Sequence, residues 1–135
     1  LNRNLSLLCA TLVFDDHFGV TGYGCAGSET EDGYQLEPWS GFGFKANIAP
    51  LGVRFETQNA KMTAICISKN KRNISIQLTV PSAEITKGLL TIEGLAAGMY
   101  QVAGSQDSRQ YRISATGSLR VEDISSNQRI EIQAE

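Results

Sequence analysis

Asp15-Asp16-His17 is the one place in the chain where carboxylates adjoin the single histidine. Such a group could supply an acid/base pair or oxygen ligands for calcium. Neighbouring residues on extended chain point to opposite sides, so the three converge only across a turn. Nucleophilic catalysis would further need a positioned nucleophile and a group to orient its base, and neither a serine elbow nor zinc-ligand spacing accompanies the cluster. The cluster therefore reads first as a solvated or interface loop. No catalytic residue, metal ligand or cofactor is assigned. Glu29, Glu31 and Asp32, beside Gly33, form a second acidic group. They lack EF-hand spacing and read as a wet turn.

Aromatic residues offer a different chemistry. Tyr34, Trp39, Phe42 and Phe44 fall within a short stretch, and the C–H face of a pyranose ring packs well on an aromatic face, the indole being the largest. Strand alternation puts Phe42 and Phe44 on one side, which suits a core. Trp39, between Pro38 and Ser40 at a loop edge, is the better platform. The candidate ligand-binding residues are thus Trp39 and Tyr34, with Asp15, Asp16 and His17 as a separate loop.

These residues must be held by strands. In Gly88–Glu122, Leu90 and Ile92 alternate with polar neighbours, Gly94 to Gly98 turns the chain, and Tyr100 and Val102 alternate on the way back. Tyr111 and Ile113, then Leu119 and Val121, keep the same two-residue period. A period of two means one buried face and one wet face, the pattern of antiparallel strands. Upstream, Leu5–Phe14 reads as a strand apolar on both faces, needing cover from its own core and from something else. Asp15–Gly33 reads as a long irregular loop with one short strand near Phe18–Tyr23, followed by a short strand at Tyr34–Leu36. Trp39–Ile48 reads as a bent strand. Leu51–Glu56 and Lys61–Ser68 read as a hairpin turning at Gln58–Ala60. A basic turn, Lys69–Asn73, leads to Ile74–Val80, and a last strand holds Ile130 and Ile132. The expectation is an all-β chain, an antiparallel β-sandwich of about nine or ten short strands.

At 135 residues the chain fits one domain, and a domain of this size buries about 65–70% of its unfolded surface. A composition 41% hydrophobic and 19% charged argues against disorder. The formal net charge of −2 comes with no basic stripe, so nucleic acid is not an expected partner. No apolar run approaches the ~20 residues of a spanning helix, so a membrane is not expected either. Cys9, Cys25 and Cys66 include no CxxC pair, which is poor material for a disulfide framework or a zinc site. Cys9 and Cys66 read as small buried hydrophobes, whereas a bridge from Cys25 stays open. A chain opening at Leu1-Asn2-Arg3 reads as a piece of a larger polypeptide.

Leu90-Thr-Ile-Glu-Gly-Leu95, Gly98-Met-Tyr100-Gln-Val102, Thr116-Gly-Ser-Leu119-Arg-Val121 and Arg129-Ile-Glu-Ile132 resemble the closing strands of accessory β-sandwiches in bacterial secreted carbohydrate-active enzymes. Asp15–Cys25 and Ala49–Phe55 also resemble segments of large proteins of that kind, glycoside hydrolase-like or polysaccharide lyase-like. The resemblance covers about a third of the chain; in that family the catalytic acid and base lie in another domain. It implies a non-catalytic domain, extracellular or periplasmic, packing against a neighbouring catalytic domain of the same polypeptide. The alternative is a carbohydrate-binding module that takes a polysaccharide on an aromatic platform near Trp39. An autonomous hydrolase built on Asp15, Asp16 or His17 is the least favoured of the three.

Overall fold

The computed structural model describes residues 10–15, 17, 19–39, 44–80, 88–104, 108–113, 118–124 and 127–135, the side chains of 14, 15 and 123 excepted. Along these residues the two-residue period becomes strand after strand. Val53–Gln58 alternates strictly between buried and exposed, and Asn73–Thr79 buries Ile74, Ile76 and Leu78 while their neighbours face water. In chain order the strands are β1 (Ala10–Asp15), β2 (Gly19–Tyr23), β3 (Cys25–Glu29), β4 (Gly33–Pro38), β5 (Lys45–Ile48), β6 (Val53–Gln58), β7 (Lys61–Ser68), β8 (Asn73–Thr79), β9 (Gly88–Glu93), β10 (Gly98–Ala103), β11 (Ser108–Ile113), β12 (Leu119–Ile124) and β13 (Gln128–Ala134). A 3-10 turn, Ala49–Leu51, joins β5 to β6.

Two sheets face each other. One has six strands in the order β12-β9-β6-β5-β1-β2, and the other seven in the order β11-β10-β13-β8-β7-β4-β3. Neighbours are antiparallel throughout except β1 and β5, which run parallel. The inner faces close over one core, with Leu12, Ile48, Phe55 and Ile92 from the first sheet against Leu36, Ile65, Ile76 and Ile132 from the second. The β-sandwich expected from periodicity is therefore the fold.

Its internal wiring departs from expectation. The described residues hold thirteen strands, not nine or ten. The Asp15–Gly33 stretch is no irregular loop: it supplies β2 and β3, which pair with β1 and β4 at the two sheets' adjoining edges. β2 is the short strand expected near Phe18–Tyr23, whereas β3 was not expected: its Ala, Gly and Ser residues hid it because an edge strand buries little and needs few large apolar side chains. β6 and β7 do not pair as a hairpin. Asn59-Ala60 carries the chain from one sheet to the other, and 94–97 does the same between β9 and β10. Alternation is identical whichever sheet a strand joins, so periodicity alone cannot tell a hairpin from a crossover. Of the apolar N-terminal stretch, residues 1–9 lie outside the described part; within β1, Ala10 and Leu12 are buried while Thr11 and Val13 are half-buried.

Strand directions give the sandwich two ends. β2, β4, β6 and β8 finish at the upper end; β1, β3, β5, β7 and β9 finish at the lower. The lower end is fastened between sheets by Lys71, whose ammonium donates to the Gly94 carbonyl at 3.0 Å. Tyr100 secures the same crossover by donating its hydroxyl to the Ala96 carbonyl at 2.8 Å. Gly94 has φ +95° and packs its α-carbon against the Gly52 carbonyl, so an added Cβ would be both strained and obstructed. Gly94→Ala is expected to destabilise the domain by at least about 1–3 kcal/mol, the usual cost of such backbone strain. Urea unfolding checks this, and an unchanged midpoint would contradict the close approach.

Candidate functional site

Trp39 owes its position to the end of β4. Gln35 and Glu37 stand exposed while Leu36 is buried. The β3–β4 ladder runs to Cys25 opposite Pro38 and continues one step further, the Trp39 N–H donating to the Gly24 carbonyl at 3.0 Å. The two-residue period thus carries Gln35, Glu37 and Trp39 along the outer side of the seven-stranded sheet. Trp39 is 58% exposed, beside Tyr23 at 56% and Phe44 at 43%; these are the large hydrophobic side chains left exposed among the described residues. All three sit at the upper end. Tyr23 adjoins Gly24 and lies opposite Thr11 on the outer face of the six-stranded sheet, so it borders the same corner from the other side. Phe44 leads into β5, its carbonyl accepting from the Thr57 N–H at 2.8 Å and hydroxyl at 3.3 Å.

Two expectations change here. Tyr34 is opposite Ile67 on the inner face and packs half-buried against the core, unlike Trp39 on the outer side, and it also contributes to the lining of a depression on this sheet. Phe44 is exposed rather than part of the core, because the chain turns at this residue instead of continuing as strand. Phe42 lies outside the described residues.

The acidic loop is at the other end of the molecule. Asp15 closes β1 opposite Gly19 of β2, and His17 is exposed in the turn between them. Asp16 lies outside the described residues. Trp39 and the Asp15–His17 turn therefore cannot share one ligand-sized site. Glu29, Glu31 and Asp32 are exposed at the lower end, as expected of a wet turn. Glu29 pairs with Lys69 of the β7–β8 hairpin tip, and this contact raises the lysine's pKa. Among the described residues, no three His, Cys, Asp or Glu side chains come together in a way that could hold a metal ion.

What sequence reading missed is the surface leading away from Trp39. A depression of about 260 Å³ lies between Ala26, Gly27 and Ser28 of β3 and Gln35 and Glu37 of β4. A second, of about 310 Å³, crosses β4, β7, β8 and β13, lined by Gln35, Cys66, Ser75, Asn73, Glu131 and Gln133 among others. Gln35 lines both. Registers place Gln35 opposite Cys66, Cys66 opposite Ser75, and Ser75 opposite Glu131, one row across four strands. The clue available in the sequence was parity alone: 35, 37 and 39 share a face, as do 66, 75 and 131 once paired.

The thiols divide by environment. Cys66 faces outward in this row, half-buried, rather than sitting in the core. Cys25 is buried and free, and its Sγ donates to the Thr11 carbonyl of the opposing sheet at 3.6 Å. Burial is the larger influence on Cys25 and pushes its thiol pKa up, against the lowering effect of its backbone hydrogen bonds.

No family model, curated protein or solved structure matches the chain. No helix among the described residues is long and apolar enough to cross a membrane.

A raised thiol pKa means that the folded state keeps the Cys25 proton where the unfolded chain gives it up. The associated stability is complete below the ordinary thiol value of 9.0 and is lost as pH climbs past it. Cys25→Ala is expected to flatten the fall in unfolding free energy that the wild type shows just above that pH, measured by urea titration at a series of pH values. Tyr100, also raised by burial, acts above its own ordinary value of 10.0. Parallel alkaline declines in wild type and variant would rule out a contribution from Cys25.

Proposed function

We propose that the chain is a non-catalytic recognition domain of a carbohydrate-active protein, acting outside the cytoplasm, and that it binds a glycan on the Trp39 edge. The observation that supports this reading is the exposure of Trp39, held at 58% by a backbone that anchors its N–H to Gly24. An indole left in water, when among the described residues only Tyr23 and Phe44 are large hydrophobics left similarly exposed, marks a surface for recognition. Sugar rings suit it, because they combine an apolar C–H face with hydroxyls at the rim. The exposed carboxylate of Glu37 and amide of Gln35 on the same side can pair with those hydroxyls. Trp39→Ala is expected to weaken glycan binding by at least about tenfold, as removal of a central aromatic anchor does. Affinity electrophoresis across a panel of neutral polysaccharides measures this. Absence of retardation on every glycan, or unchanged retardation of the variant, would reject the reading.

A second reading, packing against a neighbouring catalytic domain of the same polypeptide, is favoured by a different surface. On the outer face of the six-stranded sheet, Thr11, Val13, Thr21 and Tyr23 form an uncharged corner. The remainder of that face carries Lys45, Arg54, Glu56, Glu93 and Arg120. Tyr23→Lys is expected to leave the melting temperature of the isolated domain unchanged and to lower that of the parent polypeptide. Equal effects in both would count against such packing.

A further inference from the structure

We infer that Trp39 is one terminus of a continuous track for a linear, uncharged glycan, running down β4 and then across the outer face of the seven-stranded sheet to β13. The inference rests on the glycan-binding reading and adds the ligand's class, its extent and its path. Three observations carry it.

The first is continuity. The depression between β3 and β4 begins beside Glu37, two residues from Trp39, and meets the larger one at Gln35, which lines both. From Trp39 to Gln35 is four residues of extended chain, about 13–14 Å. From β4 across β7 and β8 to β13 is three strand spacings, about 14 Å. A track of that length accommodates several sugar residues and is far longer than one ring.

The second is unspent hydrogen-bonding capacity. Among the described residues the side chains of Gln35, Glu37, Asn73, Ser75, Glu131 and Gln133 make no hydrogen bond or ion pair with the protein. Amides and hydroxyls both donate and accept, as sugar hydroxyls do, and carboxylates accept from them. Each such bond is worth about 0.5–1.5 kcal/mol net, so a row of them yields affinity that accumulates with ligand length.

The third is the sign of the charge. The lining of the two depressions includes Asp32, Glu37 and Glu131 and no lysine or arginine. A uronate or sulfated chain laid here would meet carboxylates with no cation in the lining itself, whereas a neutral chain incurs no such penalty. The cations of this same face, Arg129 on β13 and Arg112 on β11, stand outside that lining.

Isothermal titration of the domain with β-1,4-glucose, β-1,4-mannose and α-1,4-glucose oligomers, from disaccharide to octasaccharide, tests the inference. Oligogalacturonates of matching length serve as the charged comparison. Wild type is expected to bind at least one neutral series with affinity that rises with length, and to bind the galacturonates at least tenfold more weakly. Gln35→Ala and Glu131→Ala, both at exposed positions and checked for an unchanged melting temperature, are expected to lower affinity for the longest chains by about two- to tenfold each. They should leave disaccharide binding as it is. Trp39→Ala is expected to weaken every length. Length-independent affinity in the wild type, a preference for galacturonates, or indifference to both β4 and β13 variants would overturn the track while leaving the Trp39 platform standing. Binding of no oligomer at all would overturn the platform and the track together.

Discussion

Each strand of this protein has one apolar face to hide, and everything else follows from where the chain must cross between sheets to hide it. The crossings that lie wholly within the described residues are short: Gly24 alone between β2 and β3, Asn59-Ala60 between β6 and β7, and 94–97 between β9 and β10. A connection this brief has to leave one sheet and enter the other within one to four residues, so the sheets are held at contact distance along these edges. Gly24 takes a positive φ of 70° to do it, and Asn59, a residue type that tolerates the left-handed region, takes 58°. The buried Cys25 thiol reaching the Thr11 carbonyl closes the same edge from inside.

That closure explains where the exposed aromatics are. The corner at Gly24 consumes the last backbone hydrogen bond of the β3–β4 ladder, and Trp39 is the residue that donates it. Trp39 continues the outward positions of Gln35 and Glu37, on the side of the sheet turned away from its facing sheet. Tyr23, one residue before the corner, is left outside for the same reason. The exposed aromatic corner is therefore a by-product of the architecture at its upper edge, and the polar depressions near it are the ordinary outward positions of β3, β4, β7, β8 and β13. Their character lies in what those positions carry: amides, hydroxyls and carboxylates, with Arg129 and Arg112 of the same face standing outside the depressions.

Much of the fold could be read from the chain because alternation is a local property. Ile74, Ile76 and Leu78, or Leu90 and Ile92, announce a buried face without reference to any other strand, and both sets are in the core. Three things could not be read this way. β3 is made of small and polar residues, since an edge strand satisfies its backbone with little apolar burial, and so it resembled loop. The β6–β7 and β9–β10 connections looked like hairpins because a sheet crossover has no periodicity of its own. The site suffered from both effects. Trp39 stood out by residue type, but Gln35, Ser75 and Glu131 come from distant segments and become one surface only through registers that the sequence does not display. Tyr34 was misplaced by a single step of the strand: its neighbours on either side face outward and it faces in.

The central claim is that the outer face of the seven-stranded sheet, and not the other sheet or the Asp15–His17 turn, receives the ligand. An amide-resolved NMR titration of the domain with a neutral oligosaccharide that it binds tests this most directly. Shifts confined to the Trp39 indole and to the backbone of Ala26–Ser28, Gln35–Glu37, Cys66, Ser75 and Glu131 are the expected result. Shifts centred instead on Lys45, Arg54 and Glu93, or on the turn at His17, would contradict it.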